Sequence, residues 1–173
     1  MNLQSYVCGA WQSGRDGGVA MRDATTGEVI AQASSTGIDF AAVLEHARKV
    51  GGPALRAMTF HERAALLRAT AKRLSELKEE FYALSYRTGA TKDDSLIDID
   101  GGIGTVFVFA GKGSRELPNA RVYVDGNVEG LSKTGNFVGQ HLFVSREGAA
   151  VHINAFNFPV WGMLEKLDRK SVV

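Results

Sequence analysis

"AAVHINAFNFPVWGMLEKL", residues 149–167, decides how this chain is read. Its first five residues are nearly all apolar, the pattern of a strand covered on both faces. From Pro159 the apolar spacing becomes helical, and proline is tolerated in a first turn because its missing N–H would be unpaired there anyway. Strand, turn and helix in that order form the opening unit of a doubly wound α/β domain. Asn157 lies in the turn, between Phe156 and Phe158. Burying its amide there without partners would cost about 1–3 kcal/mol. Position alone leaves two roles open. Asn157 can cap the helix that begins at Pro159, or it can donate to negative charge at the strand exit, where doubly wound sheets place their sites.

The preceding residues, from 119 onward, are rich in β-formers. "RVYVDGN" (121–127) carries Asp125-Gly126, and "NFVGQHLFVSREGAAVHINAF" (136–156) holds two β-rich runs divided by Glu147-Gly148. The middle of the chain is helical. Residues 38–52 show an apolar face and are expected to stop at Gly51-Gly52-Pro53. Thr59 and Glu62 stand at capping-box spacing. Phe60, Ala64, Leu67, Ala71 and Leu74 then form one stripe, with Arg63, Arg68, Lys72, Arg73 and Glu76 mostly off it. A further helix is expected over 77–87, broken by "TGAT". Beyond it, Val106–Phe109 favour strand locally. The length of the run and its lack of proline instead predict a helix, capped by Thr91 and Asp94. Gly101, Gly102, Gly104 and Gly111 would mark close helix packing within it. The first 35 residues are punctuated by turns, with Thr26-Gly27 as a hairpin signal. A hairpin so near the N-terminus needs something to pair with or lie against.

The chain has 173 residues, 45% of them hydrophobic, enough for one domain with a core. Twenty basic and 19 acidic residues give a net charge of +1, so no basic field exists for nucleic acid or an anionic membrane. The longest apolar run, 103–111, is too short to span a bilayer. A single cysteine, Cys8, excludes a disulfide framework and a cysteine metal site within one chain. No signal peptide is evident in "MNLQSYVCGAW", so a soluble cytoplasmic protein is expected.

Several motifs fail on inspection. In "GGIGTVFVFAGKG" a phosphate-binding loop would need glycine at Val106 and a hydroxyl residue at Gly113. "SELK" (75–78) has the spacing of some acyl enzymes but sits in a charged helix. His46, His61, His141 and His152 have no metal-ligand spacing with one another, which points to structural or surface roles and to no metal site. Cys8 has no His or basic residue beside it and reads as an inert thiol.

"INAFNFPVWGMLEKL" resembles the Pro-Trp-Asn-Phe-Pro motif of the aldehyde dehydrogenase superfamily, here Ala155-Phe156-Asn157-Phe158-Pro159. "GGPALRAMTF" (51–60), "FYALSYRTGAT" (81–91), "DIDGGIGTVF" (98–107) and "GSRELP" (113–118) are similar to one branch. That branch is the dehydrogenase part of bifunctional phenylacetate-degradation proteins, which carry an oxepin-CoA hydrolase domain as well. The semialdehyde dehydrogenases of benzoyl-CoA breakdown are the nearest competitor. The resemblance covers about residues 1–167.

It implies the N-terminal portion of the aldehyde dehydrogenase fold: β-hairpin, helices and the start of a doubly wound parallel sheet. It makes Asn157 an oxyanion-hole donor to the adduct of a cysteine thiolate with the aldehyde. Ile153, Asn154, Ala155, Phe156 and Asn157 would line the nicotinamide end of the cofactor site, with NADP favoured and NAD possible. A CoA-linked semialdehyde is the implied substrate, and the N-terminal hairpin and the strands after 120 are implied in homo-oligomer contacts. The family's nucleophilic cysteine, its glutamate and its ribose-binding lysine match nothing within these 173 residues. The chain alone is therefore expected to be inactive. After Leu164 the helix needs an apolar residue near 168 and meets Asp168, then Arg169 and Lys170. Residues 168–173 are accordingly expected to be a non-native tail, as "DRKSVV" is what a common sequencing adapter encodes. The rival expectation is a non-enzymatic α/β association module.

Overall fold

The computed structural model describes residues 1–172. Its first third is two linked hairpins. Strands β1 (Gln4–Val7) and β2 (Ala10–Ser13) pair antiparallel. Their turn is Cys8-Gly9, with φ of 51° and 84°, the left-handed pair that matches the twist of a two-residue hairpin. Strands β3 (Val19–Arg22) and β4 (Val29–Ala33) form the second hairpin. The Asp23 carboxylate accepts from the N–H groups of Thr25 and Thr26, and Gly27 takes φ 76°, so the hairpin expected at Thr26-Gly27 is there. The N-terminus finds its partner in β4: the Leu3 N–H donates to Gln32 O and the Gln32 N–H to Met1 O.

Helix α1 (Phe40–His46) does not stop at the glycine pair. The chain widens into one π turn over Ala47–Gly51 and resumes as α2 (Gly52–Ala57). The Gly52 N–H reaches five residues back to Ala47 O, and Pro53 falls in the first turn of α2, where no donor is needed.

The core is helical. Helix α3 (Phe60–Glu76) and α5 (Lys92–Arg115) both open with a full capping box, at Thr59/Glu62 and Thr91/Asp94. Helix α4 (Lys78–Tyr86) lies between them in sequence, and α6 (Pro159–Val172) packs on α5 from the far end of the chain. Leu67 and Ala71 of α3 meet Ile99, Ile103, Val106 and Ala110 of α5, with Tyr82 and Leu164 closing the cluster. Burial of Val106 and Ala110 explains why α5 overrides the strand preference of its Val-Phe run: tertiary packing outweighs a local preference worth tenths of a kcal/mol per residue, on the order of the propensity scale itself. Arg63 breaks the expected charge pattern of α3, being buried among the apolar stripe.

Strands β5 (Val122–Gly130) and β6 (Val138–Val144) make a third hairpin. Asp125-Gly126 is not its turn. The register shifts between Asp125 and Glu129 while Gly126 takes φ 73°, so the pair makes a bulge inside β5. The chain reverses over 131–137, closed by the Leu131 N–H on Phe137 O.

The α/β class is as expected, but the strands form three antiparallel pairs. The run at 149–153, read as the first strand of a parallel sheet, joins no ladder among the described residues. A central parallel strand depends on neighbours at both edges for its backbone hydrogen bonds, and none of β1–β6 lies beside it. Helix α6 runs through Leu167 and continues to Val172. No helix among the described residues is long and apolar enough to cross a membrane.

Candidate functional site

The N-terminal end of α6 is organised from α5. Asp98, 3% exposed, accepts from the Val160 N–H at 3.2 Å with one oxygen and from the Trp161 N–H at 2.7 Å with the other. One carboxylate thus satisfies two of the donors that a helix start leaves unpaired, where Pro159 has none to offer, and its charge meets the positive end of the helix dipole. Glycines bring the two helices close enough for this. A Cβ on Gly101 would overlap the Trp161 ring, and one on Gly102 would lie 2.9 Å from Trp161 Cα. Gly104 faces open space and Gly111 faces Arg115 of its own helix, so two of the four glycines expected to pack helices do so.

The cap is therefore Asp98 and not Asn157. The sequence carried a usable signal for this: an aspartate on the buried face of α5, three residues before a Gly-Gly pair, needs N–H donors from a neighbour. Asn157 is also not buried between its phenylalanines. Phe156 is 89% exposed, so the amide meets solvent and the expected burial cost does not arise.

Ile153, Asn154, Ala155, Phe156 and Asn157 form one exposed segment in front of α6. Lys166, two turns into the helix, straps it down: its ammonium donates to Ile153 O at 2.9 Å and to Asn154 Oδ1 at 2.8 Å. The five expected site residues are consecutive, and Lys166 holds the first two of them; Asn157 is exposed, with its N–H groups free of the helix cap. Chemically this is a donor without a nucleophile. Cys8 sits exposed in the β1–β2 turn, its Sγ 3.9 Å from Ala42 O. His61 is spent on Leu117 O at 2.9 Å. Among the described residues no group of three or more His, Cys, Asp or Glu side chains could hold a metal ion.

A second polar cluster pins α4 to α5. Lys78 Nζ lies 3.1 Å from Asp100, and the Tyr82 hydroxyl donates to the same carboxylate. Burial, then the bond to Asp100, pushes the Tyr82 phenol up to about 12. Burial would raise Asp100, but Tyr82 and Lys78 outweigh it and hold its carboxyl below the usual range. A phenol so weakly acidic is a structural tie at neutral pH, not a base.

The model of the aldehyde dehydrogenase family matches residues 11–169. The chain is 46% identical over 167 residues to the 3,4-dehydroadipyl-CoA semialdehyde dehydrogenase of Aromatoleum evansii. The match takes in 96% of this chain and 32% of that relative, so the chain spans about a third of its length. This chain belongs to the aldehyde dehydrogenase family, an oxidoreductase family.

Proposed function

We propose that this chain supplies the oxyanion donor and part of the cofactor site of an NAD(P)-dependent dehydrogenase acting on a CoA-linked semialdehyde. The observation that carries the reading is the release of Asn157. Asp98 takes over the helix cap, so the Asn157 amide has no backbone duty and stands at the exit of the 149–153 run. A carboxamide N–H held there stabilises negative charge developing on the aldehyde oxygen when a thiolate adds to it. The backbone of 153–156, tied by Lys166 at Ile153 O and through the Asn154 side chain, would form the wall for the nicotinamide. Substrate class is supported by the relative's name, and the placement in aerobic phenylacetate degradation, beside a fused hydrolase, rests on the resemblance of 51–60, 98–107 and 113–118. NADP is the proposed form of the cofactor. The nucleophile, the water-activating glutamate and the ribose-binding lysine are proposed to come from sequence outside this chain, which alone should not turn over. Association into a homo-oligomer is proposed through the β5–β6 hairpin, where Val122, Val124, Leu142 and Phe143 are exposed.

The test is Asn157→Ala in a longer enzyme containing this segment. Turnover should fall about 100- to 1000-fold, with KM changed far less and the unfolding midpoint unchanged, since the side chain is exposed. Equal kcat in variant and parent would remove Asn157 from the chemistry.

A further inference from the structure

At the opposite end of α6 from Asn157 lies a cavity of about 490 Å³. Helix α2, the start of α3, the loop 145–150 and the last turns of α6 enclose it. Arg63 reaches it from α3, Arg56 from α2, and Arg146 and His152 from the connection that leads to α6. Glu147 is the acid in its wall, mostly exposed and 3.9 Å from Arg56.

Arg63 is the informative residue. It is 3% exposed, and its Nε and Nη2 have no hydrogen-bond partner. Phe60 covers its guanidinium at 4.9 Å from the ring centroid, which offers a π face but no acceptor. A guanidinium keeps its proton at any pH the protein will meet. A buried, unpartnered cation is among the costliest groups a fold can hold, and folds keep one where a counter-charge completes it. Glu147, beside Arg56 at the edge, does not supply that counter-charge. His152 Nε2 is a third buried atom without a partner at the same cavity.

We propose that this cavity is a phosphate-binding site, with Arg63 at its base and Arg56 and Arg146 at its rim. The planar guanidinium fork fits two phosphate oxygens at once, and three arginines around one space suit a dianion better than a single carboxylate. The last described turns of α6 line the cavity, and the negative end of a helix dipole works against an anion. Arg169 and Lys170 on the same turns offset it, and the site does not depend on them, because Arg56, Arg63 and Arg146 lie on other elements. The phosphate can be a free ion or part of an ester such as coenzyme A. The inference is independent of the dehydrogenase reading, because the cavity shares none of residues 153–157.

The test is calorimetric titration of the 173-residue chain with inorganic phosphate, ionic strength held constant with sodium chloride. Saturable binding with Kd at or below about 1 mM is expected. Arg63→Met, which keeps the apolar stem, should weaken it at least about tenfold, the value of a lost charge-assisted hydrogen bond. The double variant Arg56→Gln/Arg146→Gln changes only the rim, so it decides the matter if the Arg63 variant fails to fold; it too should weaken binding. Displacement of phosphate by coenzyme A would identify the ester as the source, and failure to displace it the free ion. Absence of saturable binding, or affinity unchanged in the folded variants, would overturn the site.

Discussion

Asp168 stands where the apolar face of α6 needs a leucine. Leu164, one turn earlier, is 2% exposed and belongs to the core; Asp168 is 0% exposed, and neither carboxylate oxygen has a hydrogen-bond partner. The Thr105 hydroxyl is committed instead to Gly102 O at 2.8 Å. Burial raises the Asp168 carboxyl above its ordinary value. The sign follows from proton linkage: with the folded pKa above the unfolded one, the folded state binds the proton more tightly, so stability is greatest below the ordinary carboxylate range and falls as pH rises through the folded value. At neutral pH the residue is a liability. Asp168→Leu should therefore stabilise the chain by about 1–3 kcal/mol at pH 7, with the gain shrinking steadily toward pH 3.5. Urea unfolding of both proteins across that range measures it, and a pH-independent difference would show that packing, not charge, sets the effect.

The contact between α5 and α6 depends on one approach between backbones. A methyl on Gly102 would sit 2.9 Å from Trp161 Cα and 3.0 Å from Trp161 N. Backbone cannot step aside as a flexible side chain can, so α6 would have to shift and would lose its cap on Asp98. Gly102→Ala should cost about 1–3 kcal/mol. Gly104→Ala meets nothing within 4 Å and should gain about 0.5–1 kcal/mol from helix propensity. Opposite shifts of the urea midpoint would confirm that the two glycines differ in role; two equal shifts would contradict it. The sequence pattern pointed to helix packing at both positions, and only geometry separates them. The same holds elsewhere. The helices α3 and α5 were legible because Thr59/Glu62 and Thr91/Asp94 are local signals, read within one turn. The burial of Arg63 and the Asp100 tie were not: charge spacing placed Arg63 off the apolar stripe, and the partners of Asp100 lie on another helix. Asn157 was legible as a site residue through resemblance; its freedom from capping is visible only once Asp98 is seen to take the α6 donors.

At the scale of the whole molecule, order is unevenly distributed. The cluster on α3, α5 and α6 holds most of the buried side chains, while 149–158 contributes no backbone hydrogen bond to any ladder among the described residues. Ile153 and Val151 are more than four-fifths exposed, although their apolar run has the composition of a strand sheathed on both faces. Such a run is satisfied only when parallel neighbours supply donors, acceptors and apolar cover together. Amide exchange reads this directly, since protection follows the free energy of opening each hydrogen bond. In this chain, amides of 149–153 should exchange at nearly the rate of an unstructured peptide, while those of Ile99–Ala110 in α5 should be the slowest. In a longer enzyme of the family that contains this segment, 149–153 should become protected to the level of its core. Strong protection of 149–153 in the 173-residue chain would mean that the run has found a partner within it, and the account of why the parallel sheet is absent would be wrong.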